Sequence, residues 1–515
     1  MVPNASFEVA TDAEGPLADT WHFSNNFAHE IREASLRMSP VVLPHRDPTQ
    51  KAIFYMDVWR RQCLPALNSA FHRLELAHGP ANLITDAVVA LSACRLSRTL
   101  PQRKLFKVSS VSGLCVRPDA GHETLSHEHY GAVMRKMAGW SHEDFDANPA
   151  LGLAVLVLFC YLESSMGNFK AFRVHSEGVK RLIKAYPDWV VHQGTDLLAA
   201  WVEVEMQNWW RRVYFGTPDF HRNTSSLALP PQLEAVLDTA NHRRAAILLI
   251  MCESHRLNNA AIVAGWDGYE DSSGSSRFTG SAVPQADPEL ITLFQEQSLK
   301  LDDWFAFLPV SELPEYWEDD GGSVAPTRCL SAVQPLHFKS HKAAMNFAYY
   351  VTARVMQCTG PLGSLVGDPR TDIDTIYGEV EAWILMLLRI ASAIDWDQCI
   401  KLNVYTVGFT SLLLACALHS RNIEIGTWMQ TWLEEHLKGN EYEEGNFPVF
   451  QILEALRLVN AERRDGRDVF ALFQTVDDSG GSGKLGSYHS QLLVSLQVYG
   501  RCRTSGAKYT YRRTV

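Results

Sequence analysis

Apolar positions recur at spacings of three and four along most of this chain. Ile84, Val88, Leu91 and Arg95 share one helical face, and Leu151, Val155, Leu158 and Leu162 share another. Such spacing turns one stripe of a helix toward a core. It predicts further helices over 169–185, 195–215, 231–264, 289–306, 340–357, 372–394, 398–419, 424–437 and 448–464. Within these, Val404, Val407, Ser411, Leu414 and Leu418 make one stripe, and Trp428, Trp432 and Leu433 another. Asn148 followed by Pro149 predicts an N-cap with proline at the first helical position. Strand-type alternation is confined to 107–111 and 492–498. The predicted fold class is therefore all-α, a large multi-helix body.

Punctuation divides the chain. Residues 1–49 contain Pro3, Pro16, Pro40, Pro44 and Pro48 and read as an irregular arm, with a short helix near 27–37. The helical body is expected over 50–505 and a basic tail over 506–515. Ser and Gly crowd 267–287, and Pro, Gly and a short acidic run fill 309–335. These place a lobe boundary near 265–340, or form long loops within one body. Apolar helices on both sides favour one body with two lobes. No repeat of fixed length is present.

Composition narrows the classes. Of 515 residues, 46% are hydrophobic, with 14 Trp and 23 Phe, ample for a large core. The net charge of −11 argues against a broad phosphate-gripping face. Residues 1–15 carry Glu8, Asp12 and Glu14 and no basic residue, unlike a signal peptide. The apolar runs 150–162 and 404–418 fall short of a bilayer span and predict buried core helices, with no membrane role. The ten cysteines are then expected as reduced thiols in cytosol or nucleus.

Motifs for chemistry are incomplete. Gly480-Gly481-Ser482-Gly483-Lys484-Leu485 imitates a phosphate loop, but Asp478 and Leu485 occupy positions that require Gly and Ser/Thr. A turn is expected there. His337 and His341 are four apart and would share a helix face, yet further zinc ligands are lacking. His127 and His129 flank Glu128 at a spacing that diverges on a helix. Ser364 lacks the flanking pattern of a nucleophile elbow. Tyr316-Trp317-Glu318-Asp319-Asp320 is read as a solvated acidic loop, the alternative being a short docking segment. Residues 500–515 interleave Arg501, Arg503, Lys508, Arg512 and Arg513 with tyrosines. They are expected either to touch phosphates or serve nuclear import, or to pack on the acidic body. No catalytic, cofactor-binding or metal-ligating residue is assigned, and DNA-binding residues stay unknown.

Three blocks carry a family likeness. The first is 82–97 with 127–138 and 151–186, where a helix ends in LFCYLESSMGNFKAFRVHSEGVKRLI. The second is HFKSHKAAMNFAYYVTARVMQC, 337–358, and the third is 463–503. Over roughly 50–505 the chain resembles the fungal-specific transcription factor domain, the helical region that usually follows a zinc binuclear cluster. The resemblance implies an all-α fold and nuclear control of metabolic or secondary-metabolite genes. That zinc cluster has six closely spaced cysteines. Here the nearest pair, Cys399 and Cys416, is seventeen apart, and 1–62 holds no cysteine. The expectation is a non-enzymatic nuclear regulator without its own zinc cluster and without a cofactor. It would reach DNA indirectly, through a DNA-binding partner or the transcription machinery, or as part of a longer factor. The resemblance leaves a homodimer open. The alternative reading is a helical module that senses a small apolar metabolite.

Overall fold

The computed structural model describes residues 48–73, 83–99, 104–107, 114–215, 218–239, 242–266, 288–315, 333–358, 373–437, 443–445, 447–474 and 495–514. Helices dominate. In chain order they are α1 Pro48–Val58, α2 Leu83–Arg98, α3 Ala120–Met137, α4 His142–Ala147, α5 Pro149–Met166, α6 Phe169–Ala185, α7 Pro187–His192, α8 Thr195–Phe215 and α9 Pro218–Asn223. There follow α10 Pro231–Thr239, α11 Arg243–Trp266, α12 Pro288–Ala306, α13 His341–Gln357, α14 Ile373–Ala393, α15 Trp396–Leu402, α16 Phe409–His419, α17 Ile423–His436 and α18 Val449–Arg464. Two short ladders, β1 Lys104–Lys107 with β2 Leu114–Arg117 and β3 Glu443–Glu444 with β4 Phe447–Pro448, are antiparallel. A three-stranded antiparallel sheet near the C-terminus joins β5 Arg467–Gln474, β6 Ser495–Cys502 and β7 Lys508–Thr514, with β6 in the middle.

Local chemistry sets the helix ends. Asp119 accepts from Gly121 N and His122 N and opens α3, and Ser141 with Asp144 forms a capping box on α4. Asn148 precedes α5 as expected, with Pro149 in its first turn. Its side chain does not cap; Asn148 Nδ2 donates to Asp144 O and closes α4 instead. Gly167, at φ 73°, ends α5 in the left-handed region. Asn168 then accepts from Ala171 N and starts α6, so two core helices join through one sharp turn.

The core forms around α5, α8, α11, α13 and α16. Residues 153–162 of α5 are all nearly inaccessible. This helix is long and apolar enough to cross a membrane, at mean hydropathy 1.7, and 83% of it is buried inside the protein. One buried cluster includes residues from Trp59 to Val498, so the core runs across the expected boundary near 265–340. A smaller cluster packs Trp266 and Phe294 against Phe470, Phe473 and Tyr499. The sheet separates the two. A bulge between Val469 and Ala471 resets the strand alternation, sending Val469 and Leu472 to the main core and Phe470, Ala471 and Phe473 to the smaller one.

Several predicted elements shift. The helix expected over 231–264 is two, α10 and α11. The one expected over 398–419 breaks into α15 and α16, so Val404 and Val407 lie on a non-helical crossing. Its carbonyls are taken by side chains: Gln207 Nε2 donates to Val404 O at 3.2 Å and Thr406 O at 3.1 Å, and Tyr349 OH to Val407 O at 2.6 Å. That pairing offsets the backbone bonds lost with the helix. The strand expected over 492–498 is β6, at 495–502. Residues 506–514, expected as a tail, contain the whole of β7. The arm at 1–47, the loop at 267–287 and residues 316–332 lie outside the described residues, as does 108–111 of the other expected strand.

Candidate functional site

Among the described residues the sequence-predicted candidates do not assemble. His337 precedes α13, because Ser340 caps that helix by accepting from Ala343 N at 3.2 Å. The i,i+4 face therefore never forms between His337 and His341. His129 sits 2.9 Å from Asp86, which also takes Lys136 at 2.7 Å, while His127 is exposed. Residues 480–485, 316–320 and Ser364 lie outside the described residues. Of the basic C-terminal residues, Arg503 and Lys508 pack on the body, while Arg512 and Arg513 are exposed. Arg503 pairs with Asp468 at 2.7 Å, and Lys508 donates to Gly265 O at 2.7 Å beside the Trp266 ring. Tyr511 donates to Glu462 at 2.5 Å.

Nucleophiles are subdued by burial. Cys94 is pushed up to about 11 and Cys358 and Cys416 to about 12, all by loss of solvent. Cys502, half-exposed at the end of β6, goes the other way to about 6, held down by Ser505 and Thr504. Among the described residues no three His, Cys, Asp or Glu side chains are placed to hold a metal ion. His221 and His419 are pushed down to about 4 by burial, and His255 well below its ordinary range. His255 lies within electrostatic reach of both others, so these form one buried cluster of imidazoles kept uncharged by burial, with Arg463 beside His419.

The densest polar construction lies along α13. At one end His341 Nε2 donates to Asn403 Oδ1 at 2.9 Å, and Asn403 Nδ2 donates to Glu444 Oε1 at 2.6 Å. Glu444 also accepts from Phe409 N at 2.8 Å, Thr410 N at 3.0 Å and Thr410 Oγ1 at 2.9 Å. A carboxyl group thus caps the N-terminus of α16 from inside the core, where free N–H groups and the helix dipole favour it. Burial pushes the Glu444 carboxyl up, against the pull of these donors. Two glycines make the fit. A side chain on Gly408 would collide with the Glu444 carboxyl, and one on Gly445 with the Gly408 backbone.

A second cluster lies further into α13. Arg244 Nε donates to Asn346 Oδ1 at 3.0 Å, joining the first turn of α11 to α13. Asn68 Nδ2 donates to Glu203 Oε1 at 2.8 Å. Burial pushes the Glu203 carboxyl up, opposed by the charges of Arg244 and Lys342. Asn346 and Gln207 are each 1% exposed, yet Asn346 Nδ2 and Gln207 Oε1 have no hydrogen-bond partner among the described residues. Chemically this cluster offers hydrogen-bond donors and acceptors with no nucleophile beside a base. Sequence reading passed over it, although Asn346 interrupts an apolar run and Glu203 and Gln207 sit four apart on α8. No family model, curated protein or solved structure matches this chain.

Proposed function

We propose that this chain is a regulatory module of transcription that acts in the nucleus. It works through a DNA-binding partner or as part of a longer factor, on a metabolic or secondary-metabolite gene set. One observation carries the reading: the blocks that resemble the fungal-specific transcription factor domain supply α5, α6, α13 and parts of the C-terminal sheet, at the centre of the body. The cysteine spacing lacks a binuclear cluster and the net charge is −11, which favours contact with DNA through another protein. The test is chromatin association in cells with and without candidate DNA-binding partners. Association that vanishes with one partner supports the reading. Sequence-specific binding by the purified chain alone, at physiological salt, overturns it.

A second reading, a helical module that senses a small metabolite, is favoured by the unpaired buried amide atoms of Asn346 and Gln207. The two readings are compatible, since a regulator can take its signal from a bound metabolite.

A further inference from the structure

We propose that the outer face of α6 docks an acidic segment of a partner protein, through Arg173, Lys180, Arg181 and Lys184. The proposal rests on the reading of a module that acts through another protein, and it names the chemistry of that partner.

The sequence of α6 sets this face. Phe169, Phe172, Val179, Leu182 and Ile183 turn inward and join the main core. The opposite side exposes Lys170, Arg173, Lys180, Arg181 and Lys184, with Glu177 as its one acid. The chain as a whole has 58 acidic residues to 47 basic ones, so the row is a local reversal of its charge. The arrangement works against the helix. Lys180 and Lys184 are four apart and Arg181 and Lys184 three apart, spacings at which like charges repel. Lys170 stands in the first turn, where the helix dipole disfavours a cation, and no acid offsets it there. Arg181 reaches Glu177 at 3.6 Å, while Arg173, Lys180 and Lys184 make no ion pair among the described residues. A face kept only for solubility works as well with both signs mixed, without that repulsion.

Size and surroundings select the partner. From Lys170 to Lys184 the row spans about 21 Å along the helix axis. Its C-terminal end meets acid. Tyr186, the C-cap of α6, donates to Asp146 of α4 at 2.6 Å, and Glu143 and Asp144 of α4 and Asp188 of α7 are exposed. A duplex laid along the row would carry its phosphates into these carboxylates. A membrane surface needs apolar side chains to insert, and Val174, 39% exposed, is the one large apolar side chain on this face. A short protein segment with carboxylates one helical turn apart fits both the length and the sign. Arg173 and Arg181 offer it the planar fork that matches a carboxylate, and Val174 offers one apolar contact.

Fluorescence anisotropy with the full chain tests this. The probe is a labelled peptide of about 16 residues with Glu at every third and fourth position, long enough to hold a helix with one acidic face. It is compared with the same peptide carrying Gln for Glu, with duplex DNA of mixed sequence, and with vesicles of phosphatidylserine and phosphatidylcholine. Saturable binding of the acidic peptide, weakened by salt, is expected. Lys180→Glu together with Lys184→Glu should weaken it about tenfold or more, with helical circular dichroism retained. If that pair does not fold, Arg173→Gln serves and should still weaken binding about twofold to threefold. Lys401→Glu, a charge reversal at an exposed position of α15, should leave binding unchanged. No binding of the acidic peptide, equal binding of its Gln counterpart, or an equal loss with Lys401→Glu overturns the proposal. Binding of duplex or vesicles in place of the peptide overturns the partner class. Self-association that the double reversal abolishes, without peptide binding, overturns it in favour of a second copy of this chain. Chromatin association separates the two levels. Partner-dependent association that the double reversal leaves intact refutes the docking face and keeps the regulatory reading. Association that depends on no partner refutes that reading, and the peptide titration still decides the face.

Discussion

Two buried polar clusters touch the same helix, α13, and they are built in opposite ways. Around Glu444 the donors converge: Asn403, Phe409 N and both groups of Thr410 meet one carboxyl, and His341 fixes Asn403 from behind. Around Asn346 the account stays open, with Asn346 Nδ2 and Gln207 Oε1 unpaired at 1% exposure. A closed cluster is a latch, whose removal leaves several buried groups unpaired. An open one contributes little to stability by itself. The two clusters are equally buried; they differ in the number of unused donors and acceptors.

The sharpest way to break this comparison is Glu444→Ala. It strands Asn403 Nδ2, two backbone N–H groups and a hydroxyl in the core. The expected loss is about 3–5 kcal/mol in urea unfolding. A loss below about 1 kcal/mol would show that the latch is ornamental. Gly445→Ala attacks the same place through the backbone. Gly445 has φ 62° and lies against Gly408, so a Cβ meets both strain and collision. At least about 1–3 kcal/mol is expected from the conformation alone.

Glu163 tests the same logic through pH. It lies inside α5 with Oε2 unpaired among the described residues, and burial pushes the carboxyl up to about 8 from an ordinary 4.5 against the pull of Tyr130 and Asn168. The folded state therefore holds this proton more tightly than the unfolded chain. The stability that Glu163 contributes is full below pH 4.5 and is lost as pH rises toward about 8. Glu163→Gln removes that loss and should gain roughly 2–4 kcal/mol at pH 8 while gaining little at pH 4. His175, pushed down to about 3 by burial, has the opposite sign. Its contribution is full above its ordinary 6.5 and is lost as pH falls toward 3, so the acid limb should survive in the variant. A pH profile of urea midpoints that is unchanged by Glu163→Gln would contradict the burial account.

How much of this the sequence foretold depends on the kind of signal. Helices α6 and α8 begin and end where periodicity placed them, at 169–185 and 195–215. In α6 Phe169, Phe172, Val179 and Leu182 make a clean stripe between polar positions, and Asn168 marks its start. The crossing at 403–408 was missed because Val404, Tyr405 and Val407 are apolar whether helical or extended. What decides it lies far off in sequence, in Gln207 and Tyr349, which take its carbonyls. The C-terminal sheet was half seen for a similar reason. Arg503 and Tyr511 look like parts of a tail until Asp468 and Glu462 come opposite them. Both polar clusters were invisible as sites, since each draws its members from segments more than thirty positions apart.

The smallest effect is the one that separates the two clusters most cleanly. Asn346→Leu removes an amide with one bonded atom and one unpaired atom and substitutes an apolar group of similar size. The hydrogen bond from Arg244 Nε is lost, yet Arg244 is half-buried and can recover that bond from water. Against this stands relief from burying an unpaired N–H donor, which costs about 1–3 kcal/mol. The terms nearly cancel, and the variant should lie within about 1 kcal/mol of the parent. A loss as large as that of Glu444→Ala would mean that Asn346 is part of the latch. A near-neutral result means the amide persists for a reason other than stability.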